Sequence, residues 1–181
     1  MKETLMLLFL LGCLPLVNHA QESIKNYALP EYDELVFFVD VDTAIWKVSQ
    51  EKGYFTITPQ NPDYTDKLIS MFWAFEYPML DSALNYALSD AEQIVYETLS
   101  EVEWSEEQPS FENNSITFYS YDGAGYLISD DGNKTDMLTT IMLLVSADRQ
   151  NIIPMVLFST VPAYDKYELD VMSLLMSIEN W

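Results

Sequence analysis

Residues 81–102 read DSALNYALSDAEQIVYETLSEV, with apolar side chains at Leu84, Ala87, Leu88, Ala91, Ile94, Val95, Leu99 and Val102. Steps of three and four put all of them on one face of a helix, capped by Asp81, with Asp90, Glu92 and Glu97 on the other face. The spacing therefore predicts a helix that covers one side of a sheet and shows acid to water.

The segments on either side supply that sheet. Leu35–Val41 reads as a strand, and Ile45–Val48 with Tyr54–Thr58 reads as a hairpin around Gly53 that ends at Pro59. Leu68–Glu76 (LISMFWAFE) suits a buried strand or a buried helix; strand is preferred, and Pro78 closes either one. Beyond the helix, SEVEWSEEQPS (residues 100–110) reads as a charged exit loop. Asn113-Asn114 marks a turn before Ile116–Tyr121, and Asp122-Gly123-Ala124-Gly125 is expected to reverse the chain into Tyr126–Ile128. A further turn at Asp130–Asn133 leads to Met137–Val145. Ile152–Ser159 suits a central strand, with Pro154 at a bulge or an unpaired donor position. Asp165 and Glu168 have capping-box spacing ahead of a closing helix with its stripe at Val171, Leu174, Leu175, Ile178 and Trp181. The fold class is α+β, an antiparallel β-sheet flanked by helices that are expected on one face, in one domain over residues 45–181.

Residues 1–20 read as a secretory signal peptide: Lys2, an apolar run from Leu5 to Leu11, then a cleavage position after Ala20. Residues 21–44 form a leader and a candidate first strand. Leu10-Leu11-Gly12-Cys13 also resembles a bacterial lipobox, which would make Cys13 a lipidated first residue and give the chain a lipid anchor. No later stretch has the ~20 apolar residues of a spanning helix.

Charge and residue types narrow the chemistry. The 181-residue chain has 29 acidic against 8 basic side chains and a net charge of −21, while 49% hydrophobic residues are enough for a core. Cleavage after Ala20 removes the single Cys and the single His. Without them there are no disulfides, thiolate nucleophiles, histidine bases, Ser-His-Asp triads or ordinary Cys/His zinc sites. The negative charge repels nucleic acid and favours a cationic protein or peptide, or a divalent cation.

The helix at Asp81–Leu99, the Asn113-Asn114 turn, the glycine-containing segment at Gly123 and Gly125, and the Tyr167 to Ser177-Ile178 close together resemble the Mog1/PsbP-like fold over residues 45–181. Asn114 stands where that family more often has glycine. The resemblance implies a twisted antiparallel sheet flanked by helices, a Mog1/PsbP-like sandwich, and it favours binding or scaffolding over catalysis. Since one fold hosts many functions, it assigns no partner.

Among candidate sites, FFVDVDTAIW (residues 37–46) puts Asp40 and Asp42 on one side of a strand, as in haloacid-dehalogenase-like phosphatases. Ala44 and Thr43 depart from that motif and no downstream Lys and acid complete it, so a solvated strand end is the preferred reading. Asp122, Asp130, Asp131, Asn133 and Asp136 offer calcium-type oxygens if the two turns meet, but without EF-hand spacing; ordinary acidic turns are the plainer reading. Glu101, Glu103, Glu106, Glu107 and Glu112 lie in a polar run that lacks the cleft two-carboxylate sugar hydrolysis needs. Trp104, with Glu103, Glu106 and Glu107, is the candidate partner-binding patch, an aromatic expected to be exposed among acids. Arg149 is the only arginine and reads as a turn residue in a local ion pair. Asn113-Asn114-Ser115 and Asn133-Lys134-Thr135 fit the glycosylation pattern, which matters only in a eukaryote.

The leading expectation is an exported, non-enzymatic acidic domain, in the periplasm or cell envelope of a bacterium or otherwise secreted, that binds a protein or peptide. The alternative is a calcium-binding protein using the acidic turns. No other cofactor is implied.

Overall fold

Every residue of the run Ile152–Ser159 (IIPMVLFS) is buried, which a strand achieves only at the centre of a sheet covered on both faces. The structure, a computed structural model, describes residues 23–29, 37–51, 54–62, 68–73, 83–105, 110–146 and 152–180. In chain order the elements are β1 (Ile24–Ala28), β2 (Phe37–Asp42), β3 (Trp46–Glu51), β4 (Tyr54–Pro59), β5 (Leu68–Trp73), α1 (Ala83–Thr98), β6 (Ser100–Trp104), β7 (Phe111–Asn113), β8 (Ile116–Ile128), β9 (Lys134–Ser146), β10 (Ile152–Ser159), α2 (Val161–Met176) and β11 (Glu179–Asn180).

Eight strands form one antiparallel sheet in the order β3-β4-β5-β10-β9-β8-β6, with β7 also on β8; a second, three-stranded sheet has the order β1-β2-β11. Alternation along the central strands divides the core in two. Ile141, Leu143 and Val145 of β9 face α1, where Ala87, Ala91 and Val95 meet them. Met142 and Leu144 face the other way, toward Phe37, Val39 and Val41 of the small sheet and Val171, Leu174 and Leu175 of α2. The helices thus cover opposite faces of the large sheet, which corrects the expectation that both lie on one. The cause is legible in β9 and β10, whose residues are apolar on both sides. The α+β class and the flanking of an antiparallel sheet by helices stand as read.

The β3–β4 hairpin pairs Trp46 with Pro59 through Glu51 with Tyr54, and Leu68–Trp73 is a strand between β4 and β10. Pro154 lies one residue past the end of the β5 ladder, which starts at Met155, so a missing donor on that side breaks nothing. The signal peptide, Cys13, Gly53, Asp81, Glu106, Glu107, Arg149 and Trp181 lie outside the described residues.

Three local expectations are corrected. Residues 100–104 are a strand and not an exit loop; they pair with β8 across a register shift between Ser100 and Glu103, where Glu101 takes a φ of 55°. Asp122–Gly125 does not turn: β8 runs unbroken for 13 residues against β9. Its glycines answer a packing demand, since a Cβ on Gly123 would lie 2.8 Å from Cε3 of Trp104 and one on Gly125 would lie 3.0 Å from the Ser100 carbonyl oxygen. The closing helix starts at Val161, after Thr160 in an extended conformation and with Pro162 in the first turn, so Asp165 and Glu168 are not its cap.

Asn114 and Ser115 both take positive φ (49° and 63°) in the two-residue turn between β7 and β8. The Asn114 side chain adds what glycine cannot. Its Nδ2 donates to the carbonyl oxygen of Ile178 at 2.9 Å, and Nδ2 of Asn113 donates to that of Met176 at 2.9 Å.

Candidate functional site

The edge strand β6 and the paired strands β8 and β9 bound a cleft of about 340 Å³ with the start of α2. Its floor is Ala124, Leu138 and Val161, and its acids are Glu101, Glu103 and Asp136. Strand alternation places them: Val102 and Trp104 pack on the α1 side, so Glu103 points the other way. The bulge at Glu101 turns that carboxylate to Lys134, which donates to Oε1 at 2.6 Å while its Nζ lies 4.7 Å from the Tyr126 ring centroid. The Glu101 bond, more than any other influence, holds the Lys134 pKa above its ordinary value. Among the described residues Glu103 and Asp136 have no hydrogen-bonding or ionic side-chain partner, so the cleft presents uncompensated negative charge over an apolar floor.

Beside it, Oγ1 of Thr140 donates to Oδ1 of Asp122 at 2.8 Å. The Tyr164 hydroxyl pKa is raised, by burial first and then by the negative charges of Glu168, Asp122 and Asp165. The far rim of this face is therefore acidic as well.

The predicted partner patch is divided by the strand. Glu103 faces the cleft, whereas Trp104 is half-buried on the opposite side, covering Gly123 and donating its Nε1–H to Oη of Tyr96 at 2.8 Å. The signal that would have separated them is the alternation of Glu101, Val102, Glu103 and Trp104, which is strand-like and was outweighed by the charge of the residues that follow.

The five candidate calcium-binding side chains do not converge as one set. Asp131 is used inside its own turn: it accepts from the Ser129 hydroxyl, and from Nδ2 of Asn133 at 2.6 Å. These bonds, with Ser129 the largest influence and the Asn133 backbone N–H next, hold its carboxyl below the usual range. Asp136 pairs with Tyr126 and Asp122 with Thr140, four positions apart and so about 13 Å along the strand. Among the described residues no three His, Cys, Asp or Glu side chains gather as a metal site would require.

Asp40 and Asp42 line a second cleft, of about 400 Å³, against Asp170, Ser173 and Ser177 of α2 and its exit. Nδ2 of Asn26 donates to Asp40 Oδ1 at 2.8 Å, and the Ala44 N–H donates to Asp42 Oδ1 at 2.9 Å. Both carboxylates thus serve the strand end, and among the described residues no basic side chain lines this cleft.

No family model and no curated protein matches the sequence. Solved structures match by shape. The solution structure of cyanobacterial PsbP (CyanoP) from Synechocystis sp. PCC 6803 superposes with a TM-score of 0.55 at 12% identity, over 88% of this chain and 93% of that one. LpqN of Mycobacterium tuberculosis, described as involved in cell envelope biogenesis, gives 0.50 at 11% identity, over 90% and 95%. The Ran-binding protein Mog1p of Saccharomyces cerevisiae gives 0.49 at 7% identity, over 87% and 96%. At these identities the likeness is one of fold, and it extends across most of the chain.

Proposed function

We propose that this chain is an exported, non-catalytic binding domain whose acid-lined cleft between β6, β8, β9 and α2 takes a cationic segment of a partner protein. The observation that carries the reading is the pair Glu103 and Asp136, two carboxylates without side-chain partners among the described residues, set on the apolar floor of Leu138 and Val161. A lysine or arginine stem packs on such a floor while its head meets the acids. A net charge of −21 steers cationic partners to the surface and keeps nucleic acid and anionic lipid away. Export rests on the signal-like residues 1–20, and the lipobox-like Cys13 offers a lipid anchor. The cell envelope of a bacterium is the setting these features suit, and the likeness to LpqN agrees with it.

Titration calorimetry of the chain with an oligolysine peptide, at low and high salt, tests the proposal. Binding that weakens as salt rises, and weakens further in Glu103→Gln/Asp136→Asn, is the expected result. Binding unchanged in that variant would move the site elsewhere.

A further inference from the structure

Helix α2 buries Ala163, Tyr167, Val171, Leu174 and Leu175 and leaves an apolar ridge on its other side. Leu169 is 83% exposed, Met172 43% and Met176 44%. One such residue is ordinary on a protein surface. Three at steps of three and four make a continuous strip along one helix face. Two of the three are methionines, whose flexible thioethers adapt to different apolar surfaces.

Acid surrounds this strip. Asp165 and Glu168 are exposed on the helical turn that precedes it. Ser173 and Ser177, each one residue past a ridge methionine, turn instead toward the second cleft and its three acids, Asp40, Asp42 and Asp170. The nearby Lys166 lies with Nζ 5.1 Å from the Tyr167 ring centroid.

We infer that the Leu169–Met172–Met176 ridge, with the second cleft of Asp40, Asp42 and Asp170 beside it, docks a positively charged amphipathic helix of a partner protein. Such a helix lays apolar side chains at the same spacing along the ridge and sets Lys or Arg over the flanking carboxylates. Charge selects this occupant over the alternatives. A second copy, itself carrying a net charge of −21, brings the same flanking acids to the ridge, and an anionic bilayer repels them in the same way. The inference rests on the reading of the partner as cationic, and adds to it a second contact and a required periodicity.

The test uses two peptides made only of Leu and Lys in equal composition, one with Leu at helical spacing and one scrambled, titrated into the full chain. The amphipathic peptide binds about tenfold tighter than the scrambled one. That advantage disappears in Leu169→Ser/Met172→Ser while scrambled-peptide binding is unchanged. Leu169→Lys, a single exposed change, reproduces the loss if the double variant melts early. Equal, salt-sensitive binding of both peptides overturns the ridge and leaves the cationic reading intact; binding of neither overturns both. Sedimentation showing a dimer that the double variant abolishes assigns the ridge to a second copy and overturns the proposal, as does flotation of the parent chain, but not the variant, with phosphatidylglycerol vesicles.

Discussion

The Nε1–H of Trp104 donates to the phenol oxygen of Tyr96 at 2.8 Å, and the two rings meet edge to face with centroids 6.3 Å apart. This contact joins α1 to the edge strand β6, and it exists because Gly123 leaves room for the indole beneath it.

Gly123→Ala places a methyl 2.8 Å from the indole ring and forces Trp104 to shift. A loss of about 1–3 kcal/mol is expected, read by urea denaturation, with a red shift in tryptophan emission as the ring moves toward water. Tyr96→Phe removes the hydrogen bond and keeps the ring, so it costs about 0.5–1 kcal/mol and leaves the emission maximum closer to the parent's. Equal losses in the two variants would contradict this packing.

Gly132→Ala tests a different constraint. Nothing lies within 4 Å of a Cβ built there, but φ is +81°. The substitution costs about 1 kcal/mol through backbone strain alone, without a change in tryptophan emission. Gly132→Asn, which tolerates this region better, recovers part of the loss.

Tyr164 sets an alkaline limit. Its pKa is raised from 10.0, so below pH 10.0 the hydroxyl is protonated in both folded and unfolded chains and its contribution to stability is complete. As pH rises above 10.0 the unfolded chain ionises first, and the contribution is lost progressively up to the folded-state value. The melting temperature of the parent should fall more steeply than that of Tyr164→Phe in this window. Parallel curves would contradict first the burial of the hydroxyl and then its nearness to the acids of α2 and β8.

Ile178→Ala removes a fully buried side chain just after α2. A loss of about 2–4 kcal/mol is expected by chemical denaturation. Leu169→Ala, on the outer face of the same helix, should stay within about 0.5 kcal/mol of the parent.

The sequence made the central elements legible because their patterns carry their own cause. Ala87, Ala91 and Val95 repeat at helical spacing, and they are the residues α1 buries. The unbroken apolar run of β10 announces a strand covered twice. Gly123 and Gly125 were misleading, because glycine marks either a turn or a close approach, and only the indole of Trp104 and the backbone of β6 decide which. The candidate cleft was half legible. Glu103 was named from its charge, whereas Asp136 and Val161 join it only through the pairing of β8 with β9 and the entry of α2, contacts that no local window contains.

The small sheet has a consequence for how the molecule is made. β2 pairs with β1 on one side and with β11 on the other, and the Asp40 N–H donates to Oγ of Ser177 across 137 residues of sequence. During synthesis β2 leaves the ribosome long before β11 exists, so one of its edges stays unpaired until β11 emerges. Completion of the small sheet waits for β11: closing so long a loop is slow, and loss of β11 would unlatch the layer that β1 and β2 begin.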